Sequence, residues 1–229
     1  MFRLSPITLY LCGKSNIGKS YLLIKIVQEL NSRIFNYADY NYAVFTKTVT
    51  TEHWDGYRQQ PIIIFDDHYK QNDNENLIDA RETMNVVSCT NYFPSFAHLE
   101  LKGISVNSSF LIITSNYGYP QTIYQPEALH RRHKHHVIVI KTSDKHDLLF
   151  NHLRFYYAKQ PIDLWSGAYT PPFTQNHDIP HSIEELNIFP FRNYYTQITF
   201  NELIMLIIND LRLEQAIFHQ LAYSAKINN

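Results

Sequence analysis

The octet Gly13-Lys14-Ser15-Asn16-Ile17-Gly18-Lys19-Ser20 constrains this chain more than any other feature. Its pattern, G-x-x-x-x-G-K-[ST], works only where a strand delivers the chain into a tight glycine turn and a helix leaves it. Both flanks fit, since Ile7 to Cys12 reads as an apolar strand and Lys19 to Leu30 as an amphipathic helix. The glycines let backbone N–H groups turn inward on phosphate oxygens, and the helix N-terminus adds the positive end of its dipole. In this setting Lys14, Ser15, Asn16 and Ile17 line the cradle and Lys19 reaches the β- and γ-phosphates of a nucleotide. Ser20 supplies a hydroxyl to magnesium, a hard cation that favours oxygen ligands.

Short apolar runs alternate with amphipathic stretches through about Ala158, which predicts α/β layering with a mostly parallel sheet and helices on both faces. Further strands are expected at Tyr42 to Thr46, Ile62 to Phe65, Phe110 to Thr114 and Val137 to Ile140, and helices at Glu75 to Ser88 and Lys145 to Tyr157. The text from Gln160 to Pro190 is rich in Pro, Tyr, His and Asn and reads as an irregular excursion. Thr199 and Glu202 then make a capping-box pattern, and Phe200, Ile204, Ile207, Leu211, Phe218 and Leu221 keep helical spacing. The expected organisation is a core over 1–159, the excursion over 160–198 and a long C-terminal helix over 199–229, a possible oligomerisation element.

Three further pieces belong with the octet. Ile62-Ile63-Ile64-Phe65 ends in Asp66-Asp67, placing two carboxylates at the edge where α/β sheets bind ligands. Asp66 is expected to hold magnesium through its hydration shell, and Asp67 to orient or deprotonate an attacking water. Phe110 to Thr114 leads into Ser115-Asn116, where a neutral amide can hydrogen-bond the γ-phosphate or the water. Arg131-Arg132 precedes the last of these strands, and arginine suits planar contact with phosphate oxygens. If subunits pack head to tail in a ring, either arginine can complete the neighbour's site as an arginine finger; a solvated basic turn or an intrachain salt bridge is the plainer reading. His130, His133, His135 and His136 crowd the same stretch, but neighbours on a strand point to opposite faces. They are expected to add pH-dependent positive charge beside the arginines rather than to bind metal.

Composition limits the partners. With 229 residues, 45% of them hydrophobic, the chain can bury a genuine core, and a net charge of -1 excludes an overall basic field, so any RNA contact is local. Cys12 and Cys89 stand alone and support neither a disulfide framework nor a cysteine-based zinc site, which fits a reducing setting. The longest aliphatic run, Leu203 to Ile208, is far short of the roughly 20 residues that span a bilayer. Met1 lies close before the octet, which suggests a piece of a longer polyprotein.

Taken together, these residues resemble superfamily 3 helicases, a P-loop NTPase fold of the AAA+-like kind, and most closely the picornavirus 2C-type ATPases. Trp54-Asp55-Gly56-Tyr57-Arg58-Gln59-Gln60 leads into the acids, Phe93-Pro94-Ser95-Phe96-Ala97 precedes Leu99-Glu100-Leu101-Lys102-Gly103, and Ser108 to Asn116 follows, in the family's order and spacing over roughly Ile7 to Ile140. The resemblance implies an ATP- and magnesium-dependent motor, a homo-oligomeric ring, expected to be hexameric, and work on single-stranded RNA beside other viral replication proteins. It implies membrane-associated replication complexes in the host cytoplasm, with membrane contact through sequence absent from this chain. It also implies that the stretch ending at Lys102-Gly103 faces the pore, so that Lys102 and His98 touch RNA phosphates, although both can simply be surface residues. The cysteine-rich zinc site of some members has no counterpart here, and the 160–190 excursion stands in its place. Phe200 to Leu221 resembles a helix that docks on an adjacent subunit in some relatives; packing on its own domain is the alternative. Two other functions stay open: a nucleotide-gated RNA-binding scaffold with negligible turnover, and the ATPase domain of a replication initiator from a small single-stranded DNA virus.

Overall fold

In a computed structural model, which describes residues 3–48, 51–69, 73–116, 129, 132–142, 152–158, 182–186 and 195–227, both flanks of the octet form as expected. Strand β1 (Ile7–Cys12) runs into the turn and α1 (Lys19–Leu30) leaves it. Strands β2 (Val44–Thr48), β3 (Ile62–Asp66), β4 (Phe110–Ser115), β5 (His135–Lys141), β6 (Leu153–Ala158) and β7 (Tyr195–Ile198) complete a seven-stranded sheet in the order β2-β3-β4-β1-β5-β6-β7. From β2 through β5 neighbouring strands pair in parallel, and β6 and β7 add antiparallel pairs at one edge. The register sets Cys12 level with Ser115 and Phe65 level with Ile113, so β1, β3 and β4 end at one edge. In parallel sheets that carboxyl edge is where ligands bind.

The central strands are buried on both faces, which is why they read as continuous apolar runs. Leu9, Leu11, Ile62, Ile64, Phe110, Ile112, Val137 and Val139 pack under α1 and the C-terminal helix α4 (Phe200–Ile227). Tyr10, Cys12, Ile63, Phe65, Leu111, Ile113 and Ile138 pack under α2 (Asp73–Val87) on the other side. A short helix, α3 (Ile183–Leu186), precedes β7. The capping box forms: Thr199 N–H donates to Glu202 at 2.7 Å, and Glu202 N–H donates to Thr199 Oγ1 at 3.2 Å. Leu203, Ile204, Ile207, Ile208 and Leu211 then bury the first half of α4, while Leu213, Ile217 and Leu221 in its second half are exposed. His135 Nε2, 3.0 Å from Asp210, and Lys134, 3.2 Å from Asp210 and 3.1 Å from Glu214, tie that helix to β5.

Two expectations need correction. The helix expected over Lys145 to Tyr157 is not formed at its described end, because residues 153–158 are strand β6, antiparallel to β5. Leu153 and Phe155 face one core layer and Tyr156 and Ala158 the other, a period of two that aromatic residues favour. Strand β2 starts two residues later than expected, since Tyr40–Ala43 form a 3-10 turn whose first N–H groups are capped by Asp39, which accepts from Asn41 N–H at 2.9 Å. Most of the 160–198 excursion lies outside the described residues, although its last residues, Tyr195–Ile198, join the sheet.

The Trp54 segment folds over the α2 face. Trp54 stacks on Phe45 with ring centroids 5.4 Å apart and meets Tyr57 and Phe65 edge-on, while its indole N–H donates to Glu82 at 2.7 Å. The other oxygen of Glu82 holds Lys47 at 2.7 Å, and both side chains are largely buried. Removing one partner of such a pair strands a charge, a penalty of 3–5 kcal/mol when burial is complete. Because Glu82 keeps some exposure, Glu82→Ala is expected to cost about 2 to 3 kcal/mol, read as a lower denaturation midpoint in urea; a loss below about 0.5 kcal/mol would show the pair to be solvated.

Candidate functional site

Where β1, β3 and β4 end, an open cavity of about 390 Å³ is lined by residues from the octet and from both following strands, including Gly18, Lys19, Ser20, Asp66, Asp67 and Asn116. The octet shapes its floor. Gly18 caps α1 at φ 96°, left-handed backbone that glycine adopts without strain, and no side chain caps the helix, so its first N–H groups are left for a ligand. At Gly13 a Cβ would lie 2.6 Å from Val139 O, a backbone atom that has no room to move.

Lys19 is largely buried, and its ammonium donates three hydrogen bonds: to Gly13 O at 2.8 Å, Lys14 O at 2.9 Å and Asn116 Oδ1 at 2.7 Å. Burial pulls its pKa down, while Cys12, Asp67 and Asp66 hold it up. The reach toward phosphates read from the sequence therefore begins from a lysine folded back on its own loop, which must exchange partners when an anion enters. Asn116 gives the ammonium its oxygen, leaving the amide nitrogen as the end that can donate to a ligand.

The acids are held by one residue that the sequence reading passed over. Thr114 Oγ1 donates to Asp66 at 2.7 Å and accepts from the Asp67 backbone N–H at 2.9 Å. Thr114 ends an apolar run, and its signal in the sequence is a hydroxyl at a strand end level with the acidic turn. Asp67 takes φ 55°, a left-handed conformation uncommon outside glycine, asparagine and aspartate, and this turns the chain at the cavity. Tyr21 also lines the cavity and was not anticipated. The Ser20 hydroxyl and the Asp66 and Asp67 carboxylates, all oxygen donors beside one another on the cavity wall, are a set that suits magnesium.

The remaining candidates lie elsewhere. Arg132 faces a second cavity with Ser5, Pro6, Ile7, Cys89, Lys134 and Glu214, at the start of β1 and thus at the opposite sheet edge from the octet. It does not join the site of its own chain. Arg131 and His130 lie outside the described residues. His98 and Lys102 flank a 3-10 turn (Leu99–Leu101), both exposed, with Leu99 77% and Phe93 55% exposed nearby. The expected positive charge on the other histidines is corrected: His133, His135 and His136 are buried, and burial pushes His135 down to about 4, leaving it neutral near pH 7. His136 faces Cys12, with Nε2 3.5 Å from the sulfur, and His135 faces Tyr157 on the other side. Among the described residues no group of three or more His, Cys, Asp or Glu is placed to hold a metal, and no helix is long and apolar enough to cross a membrane.

Residues 9–117, which include the octet, the acids and Asn116, match the RNA helicase family model. The chain is 29% identical to a replicase polyprotein of Cricket paralysis virus over 161 residues, 66% of this chain and 9% of the polyprotein. It is 32% identical to a genome polyprotein of avian encephalomyelitis virus over 138 residues, 58% of this chain and 6% of the polyprotein. The chain thus spans less than a tenth of the curated relatives it matches.

Proposed function

With residues 9–117 being an RNA helicase domain of the superfamily 3, 2C-like kind, we infer that this chain hydrolyses ATP and uses the cycle to move or remodel RNA during replication of a picorna-like viral genome. One observation carries the reading: a buried lysine, two adjacent acids held on a shared threonine, Asp66 by its carboxylate and Asp67 by its backbone N–H, and a strand-end asparagine converge on a single open cavity beside an uncapped helix N-terminus.

In this reading the octet N–H groups and Lys19 hold the β- and γ-phosphates, Lys19 trading its loop carbonyls for phosphate oxygens. Ser20 and Asp66 would hold magnesium, which would supply charge neutralisation to the phosphate oxygens. Thr114 fixes one Asp66 oxygen, so the other is left for the cation's hydration shell. Asp67 orients the attacking water or takes its proton, and the Asn116 amide nitrogen donates to the γ-phosphate or the water.

Arg132 lies across the sheet from its own site, so it reaches a phosphate only in a second copy, as a head-to-tail ring of six would allow. His98 and Lys102, with Phe93 and Leu99, offer single-stranded RNA local charge and apolar surface. The exposed Leu213, Ile217 and Leu221 of α4 are available to an adjacent subunit. The setting is the infected cell, at membrane-associated complexes in the cytoplasm with other replication proteins.

Phosphate release by the chain with and without single-stranded RNA tests this against a scaffold that binds ATP without turnover. Arg132→Ala, and Arg131→Ala beside it, are expected to lower turnover by about 10³-fold with nucleotide affinity retained. Turnover in both variants equal to the parent's would remove the finger assignment, and no turnover in any condition would favour the scaffold.

A further inference from the structure

The acidic turn is braced from behind. After Asp67 (φ 55°), Tyr69 is also left-handed at φ 58°, a conformation that carries real strain in a bulky residue. Strain of this kind persists only where the surroundings impose it. Here helix α2 does so. The His68 ring is buried and stacks on Phe65 with centroids 4.8 Å apart. Its Nε2 lies 3.3 Å from Thr83 Oγ1 and 3.4 Å from Asp79 O, and its Nδ1 lies 3.9 Å from Asp79 Oδ2. Tyr69 N–H donates to the same Asp79 carboxylate at 3.4 Å, and Tyr69 Oη donates to Thr83 Oγ1 at 3.3 Å.

The brace reaches both sides of the cavity. His68 N–H donates to Thr114 O at 2.8 Å, and Ser115 Oγ donates to His68 O at 2.8 Å, immediately before Asn116. Tyr69 Oη also lies 3.5 Å from His133 Nε2, one residue from Arg132. None of these side chains lines the cavity, yet together they fix the backbone that follows Asp67 and the end of β4 beside it.

We propose that Asp79 and Thr83 of α2 are positioning residues for ATP hydrolysis, holding the strained Asp67–Tyr69 turn through His68 and Tyr69 so that the Asp67 carboxylate stays aimed at the reacting centre. The proposal rests on the hydrolytic reading of the site. Its physical sense is that displacement of a catalytic group by a fraction of an ångström slows chemistry while leaving the phosphate cradle, built on other elements, unchanged.

The test uses the full chain. Thr83→Val and Tyr69→Phe each delete a hydroxyl at nearly constant shape. Each is expected to lower kcat about tenfold, with KM and nucleotide Kd within about twofold and the melting temperature within about 3 °C. Thr83→Ser, which restores the hydroxyl, is expected to recover kcat. A fall in melting temperature with kcat per folded molecule unchanged would make the contacts purely structural and overturn the proposal, as would Thr83→Ser behaving like Thr83→Val. Asp67→Asn and a protein-free blank in the same assay separate the claims: a parent chain with no turnover above the blank sinks the hydrolytic reading and the proposal with it, an active parent matched by Asp67→Asn removes the Asp67 role and the positioning proposal but leaves hydrolysis standing, and an active parent matched by Thr83→Val and Tyr69→Phe sinks the positioning role alone.

Discussion

Asp67→Asn is expected to reduce ATP turnover on the order of 10³-fold while nucleotide affinity stays within about twofold of the parent. The expectation follows from a division of labour at the end of β3. Asp66 has its Oδ1 fixed by the Thr114 hydroxyl, and Thr114 in turn accepts the Asp67 backbone N–H, so the two acids share one brace but present different atoms. In the proposed site nucleotide binding rests on the octet, the helix N-terminus and Lys19, none of which changes in the variant. Asparagine tolerates left-handed backbone nearly as well as aspartate, so the φ 55° turn survives and the substitution removes only the carboxylate's charge and basicity. Parallel titrations with a fluorescent nucleotide and steady-state phosphate release would check it. Retained turnover would mean that Asp67 neither orients nor deprotonates the water, and attention would pass to Asp66.

The contrast between what the sequence revealed and what it hid has a physical basis. The octet, the acidic pair and Asn116 were readable because each is a local pattern at the end of a strand whose buried run is itself obvious. The parallel sheet then brings those strand ends together, as the level pairing of Cys12 with Ser115 and Phe65 with Ile113 requires. Thr114 was hidden because its role depends on a partner 48 positions away, and within its own strand it looks like one more small buried residue. The same holds for Lys47, Trp54 and Glu82, whose shared contacts join β2, a loop and α2. Strand β6 was misread for a different reason: Leu153 and Tyr157 also satisfy helical spacing, and only pairing with β5 decides between the two periods. The histidines before and within β5 were read as surface charge, whereas the α2 face covers His133 and His136, and α4 with Tyr157 covers His135.

Lys19→Ala is expected to abolish function without harming the fold. Nucleotide affinity should fall at least about 100-fold and turnover on the order of 10³-fold, because the one cation on the phosphate loop that can turn from its carbonyls to phosphate oxygens is lost from both the bound phosphates and the transition state. Stability should move the other way. Burial lowers the Lys19 pKa below its value of 10.5 in the unfolded chain, which means that the folded state holds this proton less tightly than the unfolded one. Below the folded pKa the charged lysine therefore works against folding, and that handicap shrinks as pH rises toward 10.5. Alanine is the best helix former for the first turn of α1, and the open cavity lets water reach Gly13 O, Lys14 O and Asn116 Oδ1 once their donor is gone. Without ligand, Lys19→Ala should thus melt at or above the parent temperature near pH 7, with the difference narrowing as pH is raised. ATP should raise the melting temperature of the parent only. A variant that binds and hydrolyses like the parent would dislodge Lys19 from the phosphates. One that melts well below the parent would show instead that the three hydrogen bonds of the ammonium outweigh its desolvation, making the folded-back lysine a structural element of the empty loop as well as a ligand for phosphate.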